Sequence, residues 1–466
     1  MKKGSELELV IERLGDRGKS IARADGFVVF VQGGVPGDRV RARIIRKKRQ
    51  FADAQVLELL EAGASRVEPR CRHFGTCGGC KWQHVAYEVQ TVAKRQSIVD
   101  AFARIAGLGD IPVNEPIVAA EPYEYRNKME FSFSASRWMT TDEIQSGRIL
   151  NNSFAFGLHV PGNFEKVLDL DECHLMKPWV SRLLNEFRVL ALTHGWPAWN
   201  VRTHVGYLRH LVVRDSSALP EAMVNLVVSK RDSERESLVA AFLKERFPEV
   251  TTFVVTLNTA LSQTSYGTTE TIYGPGYIRD RLGRLAFRIT PESFFQTNTR
   301  QAAALYDCVV GLGGFTKADN VFDLYCGTGT IALYVADHVA RVVGVEVIEQ
   351  AVGAARTNAI DNGVLNAVFE QGDVVRWFDD GPDERHGRPD AVIVDPPRAG
   401  MHPGVVGAIA SLSPERIVYV SCNPQTMARD VEQLAQLYTV DRLQPVDMFP
   451  HTHHIEAVAR LTRRAS

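Results

Sequence analysis

At 466 residues the chain has room for about three domains, and at 45% apolar and 23% charged residues it has the make-up of a soluble multidomain protein. No stretch of about 18 uncharged apolar residues is present, and the opening MKKGSELELVIERLGD is charged throughout; a membrane span and a secretory signal are excluded, and the expected location is cytoplasmic. A net charge of −1 excludes a uniformly basic coat for nucleic acid but leaves room for a local patch.

Residues 1–62 hold 13 Lys/Arg against 9 Asp/Glu and read as short strands, LELVIERL, GFVVFVQ and RVRARIIRKKRQFADAQVLELL, broken by the turn signals GDRGKS, ADG and GGVPGD. That spacing predicts a small β-barrel. On its third strand Arg39, Arg41 and Arg43 alternate with apolar residues, and Arg46, Lys47, Lys48, Arg49 and Phe51 follow. Such a strand is either an exposed basic edge suited to RNA or a solvated strand with charged gatekeepers.

A Gly- and Cys-rich segment follows, and YEVQTVAKRQSIVDAFARI at 87–105 reads as a helix. From 116 to about 288 strand patterns dominate (KMEFSFS, FAFGLHV, HLVVRD, AMVNLVVS, TTFVVTLN), with one long helical candidate near 230–247, which predicts an α+β domain with an antiparallel sheet. From about 294 the order apolar strand, glycine turn, helix recurs through NVFDLYCGTG, RVVGVEV, AVFEQGD, DAVIVDPPR and RIVYVSCNP. Repeated strand–helix units predict an α/β, doubly wound parallel sheet of Rossmann type. The chain thus divides into a barrel over 1–62, a central α+β domain over 63–292, whose helical segment about 87–110 packs on the following domain, and a catalytic α/β domain over 293–466.

DLYCGTGTIA ends a strand and opens a helix, and Gly327 and Gly329 let its backbone approach a ligand closely. Together with Ala332 they also satisfy the dinucleotide fingerprint, so an NAD-type cofactor stays open at this point. Glu346 and Asp373 end the next two strands, where a carboxylate can accept ribose hydroxyls, although Asp373 fits a helix N-cap equally well. At the far end of the sheet, IVDPPRAGM places Asp395 before two prolines, with Arg398 where adenine N6-methyltransferases carry a stacking aromatic; VYVSCNPQT places Cys422 before a helix start. A helix start favours thiolate, hence a nucleophile, whereas the bland reading is a small buried thiol, as for Cys308 and Cys326. Glu456 stands among Ile455, Ala457 and Val458, a setting that raises a carboxyl's pKa towards a general base's working range. The neighbouring HTHH read as solvent-facing rather than as metal ligands. Cys71, Cys77 and Cys80, with Cys173 some ninety residues on, supply four thiolates that suit zinc or an iron–sulfur cluster.

In chain order, CRHFGTCGGCKWQ, YRNKMEFSF, FFQTN, DLYCGTG, DPPRAGM, SCNP and HIEAVARL resemble the RNA uracil-C5 methyltransferases (the RumA/RlmD and TrmA group), most of all those acting on 23S rRNA, over nearly the whole chain. The resemblance implies a TRAM barrel and a 4Fe-4S cluster on Cys71, Cys77, Cys80 and Cys173. It implies S-adenosyl-L-methionine rather than NAD, bound by Gln296, Tyr325, Thr330, Glu346, Asp373 and Asp395, with Cys422 as nucleophile and Glu456 as base. Thr330 and Asp373 stand where asparagine is common, and SRWMTTDEIQSG (136–147) looks like an insertion. The expected partner is RNA, namely 23S rRNA, with no membrane and no obligate protein partner. A tRNA enzyme and a non-catalytic RNA-binding module for ribosome assembly are the alternatives.

Overall fold

The structure, a computed structural model, describes residues 1–147 and 151–465. Two units interleave along the chain: Met1–Pro69, Lys81–Ala120 and Gln301–Ser466 form one, and Arg70–Cys80 with Glu121–Arg300 forms the other.

In the first unit, strands Glu6–Leu14, Ser20–Ala24, Phe27–Gln32, Arg39–Lys47 and Phe51–Glu61 close into a barrel. Alternation along Arg39–Lys47 sends Val40, Ala42 and Ile44 inward and the arginines outward. The expected exposed basic edge is not an edge, because this strand pairs on both sides, with Glu6–Leu14 and with Phe51–Glu61. Its cations are also matched: Arg39 meets Glu8 and Glu61, Arg41 meets Glu58, Arg43 meets Glu6 at 2.8 Å, and Arg46 meets Asp53 at 2.6 Å. These arginines are exposed, and each stands against a carboxylate of the unit.

The same unit carries a seven-stranded sheet: β1 (Asn320–Leu324), β2 (Arg341–Glu346), β3 (Ala367–Gln371), β4 (Ala391–Val394), β5 (Arg416–Ser421), β6 (Tyr438–Val446) and β7 (Glu456–Arg463). The spatial order is β3-β2-β1-β4-β5-β7-β6; β1 to β5 run parallel, and β7 lies between β5 and β6, antiparallel to both. β4 and β5 are apolar runs without alternation, as strands covered on both faces must be. Helix Tyr87–Ala101 places Ile98 and Ala101 in this core together with Tyr419, Met427 and Leu443.

The second unit is an eight-stranded mixed sheet that includes Lys128–Ser134, Ala155–His159, Leu208–Asp215, Ala222–Val228 and Val250–Leu257. One face packs Phe131, Phe133 and Phe156 against helices Pro178–Thr193 and Ser233–Arg246, with the Phe133 and Phe156 rings stacked at 4.0 Å. Helix Ser233–Arg246 lies where a helix was expected, but Pro178–Thr193 was not anticipated, although Trp179, Val180, Leu183, Leu184, Phe187 and Ala191 bury one stripe of it. Within 136–147 the chain forms the short strand Arg137–Trp138 and the helix Thr141–Gln145, closed by a capping box between Thr140 and Glu143.

Candidate active site

The strand order of the seven-stranded sheet reverses between β1 and β4, and a parallel sheet opens a crevice at the carboxyl ends of its strands at such a point. The turn after β1 is wound left-handed at three of five residues: Tyr325 at φ +65°, Gly327 at +54° and Gly329 at +78°. Gly329 is there for space as well as conformation, since a Cβ would stand 2.8 Å from the Phe369 ring. Tyr325 has no such freedom, and a non-glycine residue held left-handed is a cost of the kind that collects at functional sites. Its phenol bonds the backbone of His402 beyond β4.

Glu346, closing β2, ties this turn in place. One carboxylate oxygen accepts the Gly327 N–H at 3.2 Å and the other the Ile348 N–H at 3.0 Å. Asp373, after β3, is exposed and accepts the Arg376 N–H at 3.2 Å, so it is an N-cap of helix Val374–Asp379. The Thr330 hydroxyl lies 3.0 Å from that of the buried Tyr306. Asp323, inside β1 beneath the turn, is pushed well above the carboxylate range by burial and by Asp395. Gln296 lies in the second unit, where its carbonyl accepts from Asn127 Nδ2 at 2.8 Å.

Beyond the reversal the register decides the chemistry. Ser421 of β5 pairs with Ala457 of β7, so the next residues outward, Cys422 and Glu456, oppose each other across the two strands at the rim. Glu456 is buried; that burial, and the nearby Asp395, raise its pKa well above the usual value, with the Arg398 guanidinium pulling the other way. Burial likewise lifts Asp395 to about 7.

Cys422 corrects the expectation of a lowered pKa. Half-buried, its thiol is pushed up to about 11 by burial and then by Glu456, while Arg398, hydrogen-bonded to the sulfur, acts against the rise. The helix start is where it was expected, at Pro424 with Asn423 as N-cap, but burial beside carboxylates outweighs it. The resting group is a thiol.

Cys422 opens on a cleft of about 680 Å³. Arg398, His453 and His454 line it near the sulfur, and the barrel contributes Arg13, Arg23, Phe30 and Phe51.

Residues 1–57 match the TRAM domain, 315–384 a methyltransferase domain, and 384–464 the tRNA (Uracil-5-)-methyltransferase family. An uncharacterised RNA methyltransferase of Chlorobaculum tepidum is 44% identical, over 99% of this chain and 97% of its own; one of Porphyromonas gingivalis is 41% identical, over 97% and 99%. The solved tRNA (uracil-54, C5)-methyltransferase of Pyrococcus abyssi, in complex with S-adenosyl-L-homocysteine, superposes with a TM-score of 0.75 at 29% identity, over 98% of this chain and 100% of that one. The chain belongs to the RNA uracil-C5 methyltransferase family. Of the two cofactors that the glycine turn left open, the family takes S-adenosylmethionine. No described helix is long and apolar enough to cross a membrane.

For an RNA uracil-C5 methyltransferase the rim fits its donor in kind: a strained turn fixed by Glu346, then a row of acids at successive strand ends. Sequence reasoning missed three features. Arg398 occupies the slot of a stacking aromatic in the sequence, but its side chain is turned to Cys422 and Glu456, and its carbonyl is held by Asn423 Nδ2 at 3.0 Å. Tyr306 carries no motif. The loop before β7 is fixed by helix Tyr87–Ala101: Lys94 Nζ donates to Asp447 at 2.6 Å with both side chains fully buried, Tyr87 donates to the same carboxylate at 2.8 Å, and His451, left-handed at φ +63°, bonds Gln90. A lysine inside YEVQTVAKRQSIVDA carries no sign of its partner 353 residues away.

In the second unit, Cys71, Cys77 and Cys80 lie on one loop and Cys173 on another, all half-buried. The loops are laced together: the Arg72 N–H donates to Glu172 at 2.9 Å, and His73 Nε2 meets Asp171 at 2.6 Å. Cys71 is pushed up to about 11 by burial, and Cys77, Glu172 and Cys173 lie near enough to add to the rise. Among the described residues no group of three His, Cys, Asp or Glu side chains is arranged to hold a metal ion.

Proposed function

We propose that this chain forms 5-methyluridine in RNA, with Cys422 as the nucleophile and Glu456 as the base. The observation that carries the proposal is the β5–β7 register, which sets the Cys422 thiol, on the cleft, opposite the buried Glu456 carboxyl. Bound S-adenosylmethionine supplies an electrophilic methyl group, with Tyr325, Gly327, Gly329, Thr330, Glu346, Asp373 and Asp395 of the rim, and Gln296, as the residues to hold it.

Uracil C5 is too weak a nucleophile to take a methyl group unaided. Cys422 loses its proton to solvent in the cleft, Arg398 favouring the thiolate, and the sulfur adds to C6. The electron pair of the C5–C6 double bond then serves C5, which takes the methyl group as the methyl–sulfur bond of the donor breaks and its electron pair stays on sulfur, leaving the neutral thioether. The C5 proton, acidified by the adjacent carbonyl, passes to the Glu456 carboxylate, the C5–C6 double bond re-forms, and the C6–S bond breaks to return the thiolate. Methyl transfer from labelled S-adenosylmethionine to RNA tests this reading. Cys422→Ala abolishes transfer; unchanged transfer in that variant would favour the non-catalytic RNA-binding module.

The proposed substrate is 23S rRNA, on the strength of the motif resemblance. Transfer RNA is the second reading, favoured by the full-length match to a solved enzyme named for tRNA. Mapping 5-methyluridine in both RNAs from a deletion strain separates them.

We further propose that Cys71, Cys77, Cys80 and Cys173 hold a 4Fe-4S cluster. In support, their two loops are tied together, and Cys77 and Cys173 bear electrostatically on Cys71. A cubane takes one thiolate on each of four irons, the number that these four cysteines supply.

A further inference from the structure

The central sheet has a second face. Along Lys128–Ser134, Met129, Phe131 and Phe133 enter the core, so Glu130 and Ser132 project to the other side. Antiparallel pairing sets His210 beside Ser132, whose hydroxyl lies 3.2 Å from His210 Nδ1, and Ser265 donates to the second Glu130 oxygen at 2.9 Å. These side chains floor a pocket of about 520 Å³ walled by His159, Asn163, Phe164 and Gln263.

The charge of this pocket is unusual for an RNA-binding protein. No lysine or arginine lines it. Burial lowers the pKa of both histidines, that of His210 to about 3, so they are neutral and each offers one donor and one acceptor. Among the described residues that line the pocket the Glu130 carboxylate is thus the only formal charge, which disfavours a phosphate and calls for a ligand edge rich in N–H donors. Phe164 stands 70% exposed at the rim. Both walls are held in advance. Asn163 accepts the N–H groups of Glu165 and Lys166, each at 3.0 Å, and so fixes the turn that presents Phe164. On the other wall, Arg209, stacked over Trp199 at 4.4 Å, donates to the carbonyls of Asn258, Ala260 and Ser262.

We infer that this pocket binds an unpaired nucleobase of the RNA, other than the uracil that is methylated, stacked on Phe164 with its N–H edge on Glu130. The inference rests on the proposed RNA substrate. An aromatic platform accepts any base face, and a carboxylate among neutral groups reads N–H donors, so the site supplies grip on the RNA beyond that on the uracil itself.

Fluorescence anisotropy of a labelled, mixed-sequence single strand of about 20 nucleotides on the full-length protein tests it. Phe164→Ala and Glu130→Gln each weaken binding about tenfold, with melting curves confirming that both variants are folded. Glu130→Gln removes a negative charge facing a polyanion, so a purely electrostatic surface predicts the opposite sign. Tighter binding by Glu130→Gln, affinities within about twofold of the unaltered protein for both variants, or no binding of the strand by the unaltered protein overturns the inference. In parallel methylation assays Phe164→Ala raises KM for RNA and keeps kcat within about twofold; absence of methylation by the unaltered protein would count against the enzyme reading, whatever the anisotropy shows.

Discussion

In the proposed reaction Cys422 acts as a thiolate, yet it rests as a thiol, because burial and the Glu456 and Asp395 carboxyls beside it disfavour a negative charge on the sulfur. Glu456 has the same problem, raised by burial and by Asp395. Both groups work deprotonated and both have raised pKa values, so kcat/KM rises with pH from about 6 to 9 with no alkaline fall, and alkylation of Cys422 by iodoacetamide follows the same slope. A bell-shaped profile with an optimum near 7 would contradict this. The carboxyl also costs stability: its folded pKa lies above the unfolded one, so its contribution is favourable below the unfolded value and is lost as pH rises through the folded one. Glu456→Gln therefore melts higher than the unaltered protein at pH 8, by ~2 °C or more, and the difference shrinks at pH 5. At this scale the sequence was most legible. An acid in an apolar strand and a cysteine before Asn-Pro announce themselves, whereas Arg398 reveals its direction only once its loop is folded, and Arg39, Arg41 and Arg43 looked free because their carboxylate partners lie on other strands.

The element that makes the site is β7. By returning antiparallel between β5 and β6 it carries Glu456 back to the rim that β5 supplies with Cys422. The loop that delivers it is pinned by the Lys94–Asp447 pair under helix Tyr87–Ala101. Lys94→Met leaves a buried carboxylate without its cation and destabilises by about 3–5 kcal/mol, with loss of methyl transfer; adding Asp447→Asn recovers a large part of the melting temperature. Equal melting of the single and double variants would show that the pair is not what holds the loop. Strand–turn–helix periodicity made the parallel part of this sheet readable, since each strand is an apolar run closed by a turn residue. The position of β7 was not, because order within a sheet is set by packing between distant segments. Helix Pro178–Thr193 was readable, its apolar residues recurring at three and four, but the strand patterns around it overshadowed that signal.

Across the whole molecule, both units are assembled from separated stretches of chain, so the short segment Arg70–Cys80 sits in one unit while the segments flanking it sit in the other. Three of the four cysteines lie in that segment. Protein purified without oxygen should therefore carry iron and acid-labile sulfide with visible absorbance, and Cys77→Ser should lose all three; zinc in place of iron would remove the cluster proposal and leave the methyl-transfer chemistry untouched. The barrel's part is testable too. Arg13 and Arg23 line the cleft with Phe30 and Phe51, so Arg13→Ala or Arg23→Ala weakens RNA binding and lowers its salt slope by about 1. The barrel itself was plain from its turn spacing. Which of its cations face the cleft was not, because closure of the barrel, not the local run of charge, determines which strand has an edge.

The covalent step is the centre of this account, and trapping it is the most direct measurement. Incubated with S-adenosylmethionine and its RNA substrate, Glu456→Gln completes the addition and the methyl transfer but cannot remove the C5 proton. The account predicts a protein–RNA adduct that survives a denaturing gel and disappears when Cys422→Ala is added. An absence of adduct in the single variant, or its persistence in the double variant, would contradict it.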